Sequence, residues 1–302
     1  MKSSSSLNVP LPQSRVFLFF VLLVSSLLLG TAAITRTTSS NSSTFVKAEE
    51  RATEQQHEER NEEKYFHEAG WTMEMSHYDG RYFKAVVPYE EHREVLQHLI
   101  RSYLSVTSSL GLETWLAHGT LLGWWWNGRI MPWDYDLDVQ VSIATLDHMA
   151  RNFNATFHEW NYVANETSGE QVTKTYLLDI NPNYVEIERM QGQNVIDARW
   201  IDTATGMFVD ITGLVERNAR LSPGVWSCKN YHRYQTRDIW PLRETTFEGV
   251  EARIPYEFEE ILIGEYGEKS LVVTEWEGHR WDEDQKEWVR IPNNDTESEQ
   301  AL

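Results

Sequence analysis

Three aspartates at alternate positions, Asp134, Asp136 and Asp138, run into the apolar series Leu137, Val139 and Val141, and this pattern constrains the chain more than any other. A β-strand repeats every two residues. The alternation therefore predicts a strand with Asp136, Asp138 and Gln140 on one face and Leu137, Val139 and Val141 on the buried one. Carboxylates crowded on one face repel one another, and a divalent cation between them relieves the repulsion. A donor set made only of oxygen points to Mg2+ or Mn2+ rather than zinc. Asp134 precedes the strand proper and is expected as a third ligand or as a support for the other two. Pro132, just before Trp133, fixes the backbone at the entry to the strand.

Upstream, residues 113–117 read as a short strand running into His118-Gly119-Thr120, with a helix starting near Leu121. A turn of this kind sets free backbone N–H groups and a hydroxyl beside the acids, where they suit phosphate oxygens. Taken alone, Gly119 and Thr120 are better explained as a turn and a helix cap. Trp124, Trp125, Trp126 and Trp133 surround the stretch. Most tryptophans are core, so one or two at most are expected to touch a ligand.

Residues 90–110 carry Leu96, Leu99, Ile100, Tyr103, Leu104, Thr107 and Leu110 at helical spacing before Gly111, and Ser142 is placed to cap a second helix with Ile143, Leu146 and Met149. Alternation predicts strands at 176–180, 185–187, 195–201 and 207–212, the last two joined into a hairpin by the turn 202–206. Residues 238–243 and 253–255 read as extended and 257–265 as a helix. Asp210 lies between Val209 and Ile211, in a segment apolar enough for a central strand. An acid there is costly unless paired or metal-bound. A ligand role is favoured over a simple ion pair with Arg199 or Lys174. The hairpin register stays open, since a slip of one residue moves Arg199 to the opposite face.

The formal charge of −19 argues against a nucleic-acid partner, because phosphate backbones are held by basic surface. A single cysteine, Cys228, rules out an intrachain disulfide and a cysteine-based zinc cluster. Residues 16–34 form a chargeless apolar run with Lys2 and Arg15 ahead of it, read as a transmembrane signal anchor behind a cytosolic tail, residues 1–15. A cleavable signal peptide ending at Thr31-Ala32-Ala33 is the competing assignment. The anchor implies a single-pass type II protein of the Golgi or endoplasmic reticulum membrane, and the sequons at Asn41, Asn154, Asn165 and Asn294 fit lumenal exposure. Residues 35–70 are read as a polar stem, 71–291 as the catalytic domain and 292–302 as a disordered tail.

The Gly-Thr turn, the strand bearing Asp136 and Asp138, and the later strand bearing Asp210 are together similar to the nucleotidyltransferase fold of the polymerase-beta type. That likeness implies an α+β domain with a mixed sheet and flanking helices. The longer string, Gly119-Thr120-Leu121-Leu122-Gly123 followed by Pro132-Trp133-Asp134-Tyr135-Asp136-Leu137-Asp138, resembles the LicD and fukutin family of phosphotransferases. Residues 181–184, 196–202 and 206–211 look most like its fungal branch, associated with mannosylphosphate transfer to glycans. The resemblance implies attack by a glycan hydroxyl on a phosphate of a nucleotide-activated donor such as GDP-mannose. Asp136 and Asp138 would hold Mg2+ or Mn2+, with Asp210 a shared ligand or the base. Gly119 and Thr120 would hold phosphate, with Arg129 as a clamp. The alternatives are a catalytically silent regulator or glycan-binding partner of a separate transferase, and a phosphocholine or ribitol-phosphate transferase differing in donor.

Overall fold

A six-stranded mixed sheet organises the protein. The computed structural model describes residues 64–292 apart from 166, 168 and 188–192. Its strands are β1 (Thr114–Leu116), β2 (Asp138–Ser142), β3 (Thr156–Asn165), β4 (Glu170–Ile180), β5 (Ala198–Asp202) and β6 (Phe208–Leu214), in the order β1-β2-β6-β5-β4-β3. The β2–β6 pair is parallel and the other pairs are antiparallel. Val139, Val141, Val209 and Ile211 of this parallel pair are fully buried, as apolar strands covered by helices must be. This is the α+β mixed sheet expected from the motifs.

Helix α1 (Tyr89–Ser109) follows Pro88 and carries Glu90 and Glu91 in its first turn, where acids favour the helix dipole. It lays Leu96, Leu99, Ile100, Tyr103 and Leu104 on β5 and β6. Trp200 of β5 fills the space beneath it and donates from Nε1 to Ser102 Oγ at 3.0 Å, so the indole is buried without losing its hydrogen bond. Helix α2 (His118–Asn127) starts three residues earlier than Leu121 suggested. Helix α3 (Ile143–Asn152) is capped by Ser142 as expected, its Oγ accepting from Thr145 N at 3.1 Å.

Smaller elements complete the domain. The hairpin of β7 (Val225–Ser227) and β8 (Arg233–Gln235) leads into α4 (Thr236–Ile239), and a second hairpin pairs β9 (Arg243–Phe247) with β10 (Val250–Ile254). Helix α5 (Phe258–Tyr266) precedes a three-stranded sheet of β11 (Glu275–Trp276), β12 (His279–Asp282) and β13 (Glu287–Arg290).

Several expectations need correction. Residues 182–185 form a 3-10 turn and Val185 is exposed, so the strand at 185–187 is absent; Pro182 supplies no N–H for a ladder and starts the turn. Residues 236–239 are helical, where an extended run from 238 was expected, because Gln235 and Asp238 make a capping box. Strand β3 and the last sheet were not anticipated. Residues 64–70, assigned to the stem, pack with the domain: Phe66 is buried and Tyr65 donates to Asp179 at 2.9 Å. The apolar run 16–34, the rest of the stem to residue 63, and residues 293–302 lie outside the described residues, with the sequons at Asn41 and Asn294. Among the described residues, no helix is long and apolar enough to cross a membrane.

Candidate active site

Strand pairing places the acids. Asp138 opens β2 and faces Asp210 across the parallel β2–β6 pair, and Asp210 faces Arg199 across the antiparallel β5–β6 pair. Residues paired across a sheet project to one face, so the three side chains stand in one row. The register left open by the sequence therefore brings Arg199 to Asp210: Arg199 Nε donates to Asp210 Oδ1 at 2.8 Å. Arg199 Nη2 reaches Glu68 Oε1 at 3.0 Å, and the guanidinium lies 3.6 Å from the centroid of the Phe208 ring. The ion pair ranked second for Asp210 is thus present, with Arg199 itself buried.

Helix α2 closes on the strand from the other side. Asp138 N donates to Thr120 Oγ1 at 2.8 Å, so the threonine hydroxyl fixes the start of the acidic strand. A Cβ at Gly119 would stand 3.1 Å from Asp134 Oδ2, and one at Gly123 would stand 2.5 Å from the carbonyl oxygen of Arg129. The two glycines therefore let the helix lie against the loop that carries the acids. Asp134 sits in that loop, ahead of β2, its N–H bound to Met131 O at 3.0 Å.

The electrostatics of the row follow from burial and crowding. Asp138 is pushed up to about 8, first by burial and then by the neighbouring Asp136 charge. Asp134 is raised well above the usual carboxylate range for the same two reasons. Burial raises Asp210 as well, against the opposing pull of Arg199. Carboxylates that resist ionisation together are a donor set that a hard divalent cation would satisfy, since its charge offsets both the burial and the repulsion.

Two cavities meet at Asp136. One, of about 560 Å³, is lined by Gly119, Asp134, Asp136 and Asp138 on one side and by Trp126, Trp133, Tyr266, Lys269, Trp276 and Trp288 on the other. The second, of about 390 Å³, is lined by Asp136, Asp210, Arg199, Glu68, Lys64, His77 and Asn194. Of the four tryptophans near the motif, Trp126 and Trp133 line a cavity, while Trp124 packs edge-on against Phe258 at 5.0 Å.

Arg129 is not brought to this site. Its guanidinium pairs with Glu287, and it lines a separate recess with Arg93, Gln97 and Arg101. Lys269 is the cation that lines the aromatic cavity. Nothing in the sequence around Lys269, Trp276 or Trp288 marks them, because they reach the cavity only through the packing of the last sheet. Glu68 was hidden for a different reason: it lies at the edge of an acid-rich polar segment whose composition suggests a solvated spacer.

Residues 111–257 match the family described as LicD/FKTN/FKRP, nucleotidyltransferase domain. The chain is 33% identical over 165 residues to mannosyltransferase regulator 4 of Saccharomyces cerevisiae, covering 52% of this chain and 13% of that protein. It is 34% identical over 161 residues to mannosyltransferase regulator 14 of the same organism, covering 51% of this chain and 16% of that protein. The chain thus spans a small part of the length of either relative.

Proposed function

Because residues 111–257 match a LicD-family nucleotidyltransferase domain, we propose that the protein is a metal-dependent phosphotransferase that moves a phospho-sugar from a nucleotide-activated donor to a glycan hydroxyl. The observation that carries this reading is Asp136 at the junction of an aromatic cavity and a polar one, beside Asp138 and Asp210 in register. A transfer needs two substrates that touch at one point, and Asp136 lines both cavities.

The donor, GDP-mannose or a close analogue, occupies the aromatic cavity. Its base and sugar stack on indole faces. Its diphosphate lies against the start of α2 at Gly119, near Lys269. The acceptor glycan occupies the polar cavity, where Lys64, Asn194 and His77 offer hydrogen-bonding groups. Asp134, Asp136, Asp138 and Asp210 would hold Mg2+ or Mn2+, which neutralises phosphate charge when bound. The carboxylate of Asp210 accepts the proton of the attacking hydroxyl, with Arg199 fixing its orientation through Oδ1. The new bond joins acceptor oxygen to phosphorus, the bond from that phosphorus to the bridging oxygen breaks, and a nucleoside monophosphate leaves.

On the same reading, residues 16–34 anchor the chain as a type II protein in the Golgi or endoplasmic reticulum, with residues 71–291 lumenal. The exposed Asn154 at the end of α3 is then open to glycosylation. A second reading, a regulator without turnover of its own, is favoured by the names of the two yeast relatives. Incubation of the purified protein with Mn2+, a panel of nucleotide-activated sugars and a glycan acceptor separates the two. The enzyme reading expects release of one nucleoside monophosphate per transfer, lost in Asp136→Asn and Asp138→Asn. No release from any donor, together with stimulation of a separate transferase, would instead establish the regulator.

A further inference from the structure

Behind the acid row lies a second cluster whose donor chemistry is different. His118 opens α2, Glu265 lies in the last turn of α5 and His232 sits between β7 and β8, and one ligand atom from each lies within 4.8 Å of the others. We propose that His118, His232 and Glu265 form a zinc site, separate from the oxygen-only site of the aspartates. Two imidazoles and one carboxylate make a set that favours zinc over Mg2+ or Mn2+, and three protein ligands leave a fourth position open.

The surroundings are arranged as those of a metal centre. Tyr234 OH donates to Glu265 Oε1 at 2.9 Å, which leaves Oε2 as the ligand atom. Cys228 Sγ lies 3.3 Å from His232 Nδ1, so with the proton on Nδ1 the lone pair of Nε2 is free for a metal. His118 Nδ1 stands 2.8 Å from Glu265 Oε2. Two tetrahedral zinc ligands about 2.0–2.1 Å from the ion are roughly 3.4 Å apart, so the pair opens by about half an ångström and the ion replaces the proton they share.

All three ligands are partly buried, and His118 is held at a positive φ of 50°. That strained start of α2 is what aims the ring at Glu265, and such strain persists where the surrounding structure imposes it. Zinc here would tie α2, α5 and the β7–β8 turn together directly behind Gly119 and Asp138. The lone cysteine, which excludes a thiolate cluster, takes the part of an outer partner.

Cobalt titration of the full chain after chelation tests this by a signal independent of transfer activity. The expected result is one equivalent of Co2+ with the visible bands of a tetrahedral site and no strong sulfur charge-transfer band, displaced by Zn2+ and unaffected by excess Mg2+. His232→Gln and Glu265→Gln abolish the bands, Cys228→Ala weakens binding by about tenfold, and Asp136→Asn leaves them unchanged. X-ray absorption of the zinc-loaded wild-type protein reads two imidazoles and no sulfur. Absence of tetrahedral bands, their persistence in both His232→Gln and Glu265→Gln, their loss in Asp136→Asn, or sulfur in the zinc shell would each overturn the assignment. Loss of transferase activity with the cobalt site intact would bear on the proposed reaction alone.

Discussion

The two cavities that meet at Asp136 differ in how much charge their walls carry. The aromatic one takes its wall from Trp276 and from Trp126, Trp133 and Trp288, the last three clustered with Met131 and Trp281. The second sets Glu68 and Asp210, both paired with Arg199, and the amides of Asn181 and Asn194 among the apolar Phe66, Val195 and Phe208. Apolar walls give contact area with little direction, which suits a flat base and sugar. Charged walls give direction at the cost of desolvation, which suits hydroxyls that must be aimed. The difference explains why a mutation should damage one half of the site without the other, except at the shared row of acids.

The largest effect is expected at that row. Asp136→Asn touches both cavities and should lower kcat/KM for transfer by at least about a thousandfold, measured with the chain still folded by circular dichroism. Retained transfer would mean that the junction is not where the substrates meet.

Arg199→Gln breaks only the polar side. It leaves the partly buried Asp210 without its cation, while Glu68 keeps Lys64, and urea denaturation should show a loss of about 3 kcal/mol. A loss below about 1 kcal/mol would mean that solvent already screens the pair.

Trp276→Ala is the matching change on the aromatic side. Trp276 is 58% exposed, so little stability rests on it. Its loss should raise the donor KM by about tenfold and leave the acceptor KM unchanged; equal shifts in both would dissolve the distinction between the cavities.

The smallest effect concerns the support beneath Tyr135, between Asp134 and Asp136. His92 of α1 is buried against Tyr135, ring centroids 4.3 Å apart, and burial pushes its pKa down to about 4. In the unfolded chain the ring titrates near 6.5. Between about 4 and 6.5 the unfolded state therefore binds more protons. The contribution of His92 is fully present above the unfolded value and is lost as pH falls through the folded one. His92→Phe should make the fall in urea midpoint from pH 6.5 to pH 4.5 shallower than in the wild-type protein; an unchanged slope would show that the ring titrates normally.

Much of the site was legible in the chain because its parts are local. The alternation in 134–141 placed β2, and Val209-Asp210-Ile211 marked a buried acid on a neighbouring strand. Gly119 read as a turn and Gly123 only as part of the family string; that both admit a close approach, to Asp134 and to the carbonyl of Arg129, became visible only in three dimensions. Arg129 is near the acids in sequence, but it follows the left-handed Gly128 that ends α2 and pairs with Glu287. Gln140, expected to share the open face of the acids, is buried, its amide set between Trp115 Nε1 at 3.2 Å and Tyr234 OH at 3.5 Å.

The amino-acid order alone determined which segments are strand and helix near the motif, and that carboxylates with an unmet need for positive charge lie among them. Periodicity and the cost of a buried acid are properties of short segments, so they can be read without a fold. Tertiary structure decided who answers each group. The register of β5 on β6 set Arg199 against Asp210, the last sheet brought Trp276 and Trp288 to the acids, and α5 carried Glu265 to His118 across 147 positions of chain. Those contacts join residues with no sequence relation, and only the packing of the apolar faces on either side of the sheet brings them within reach.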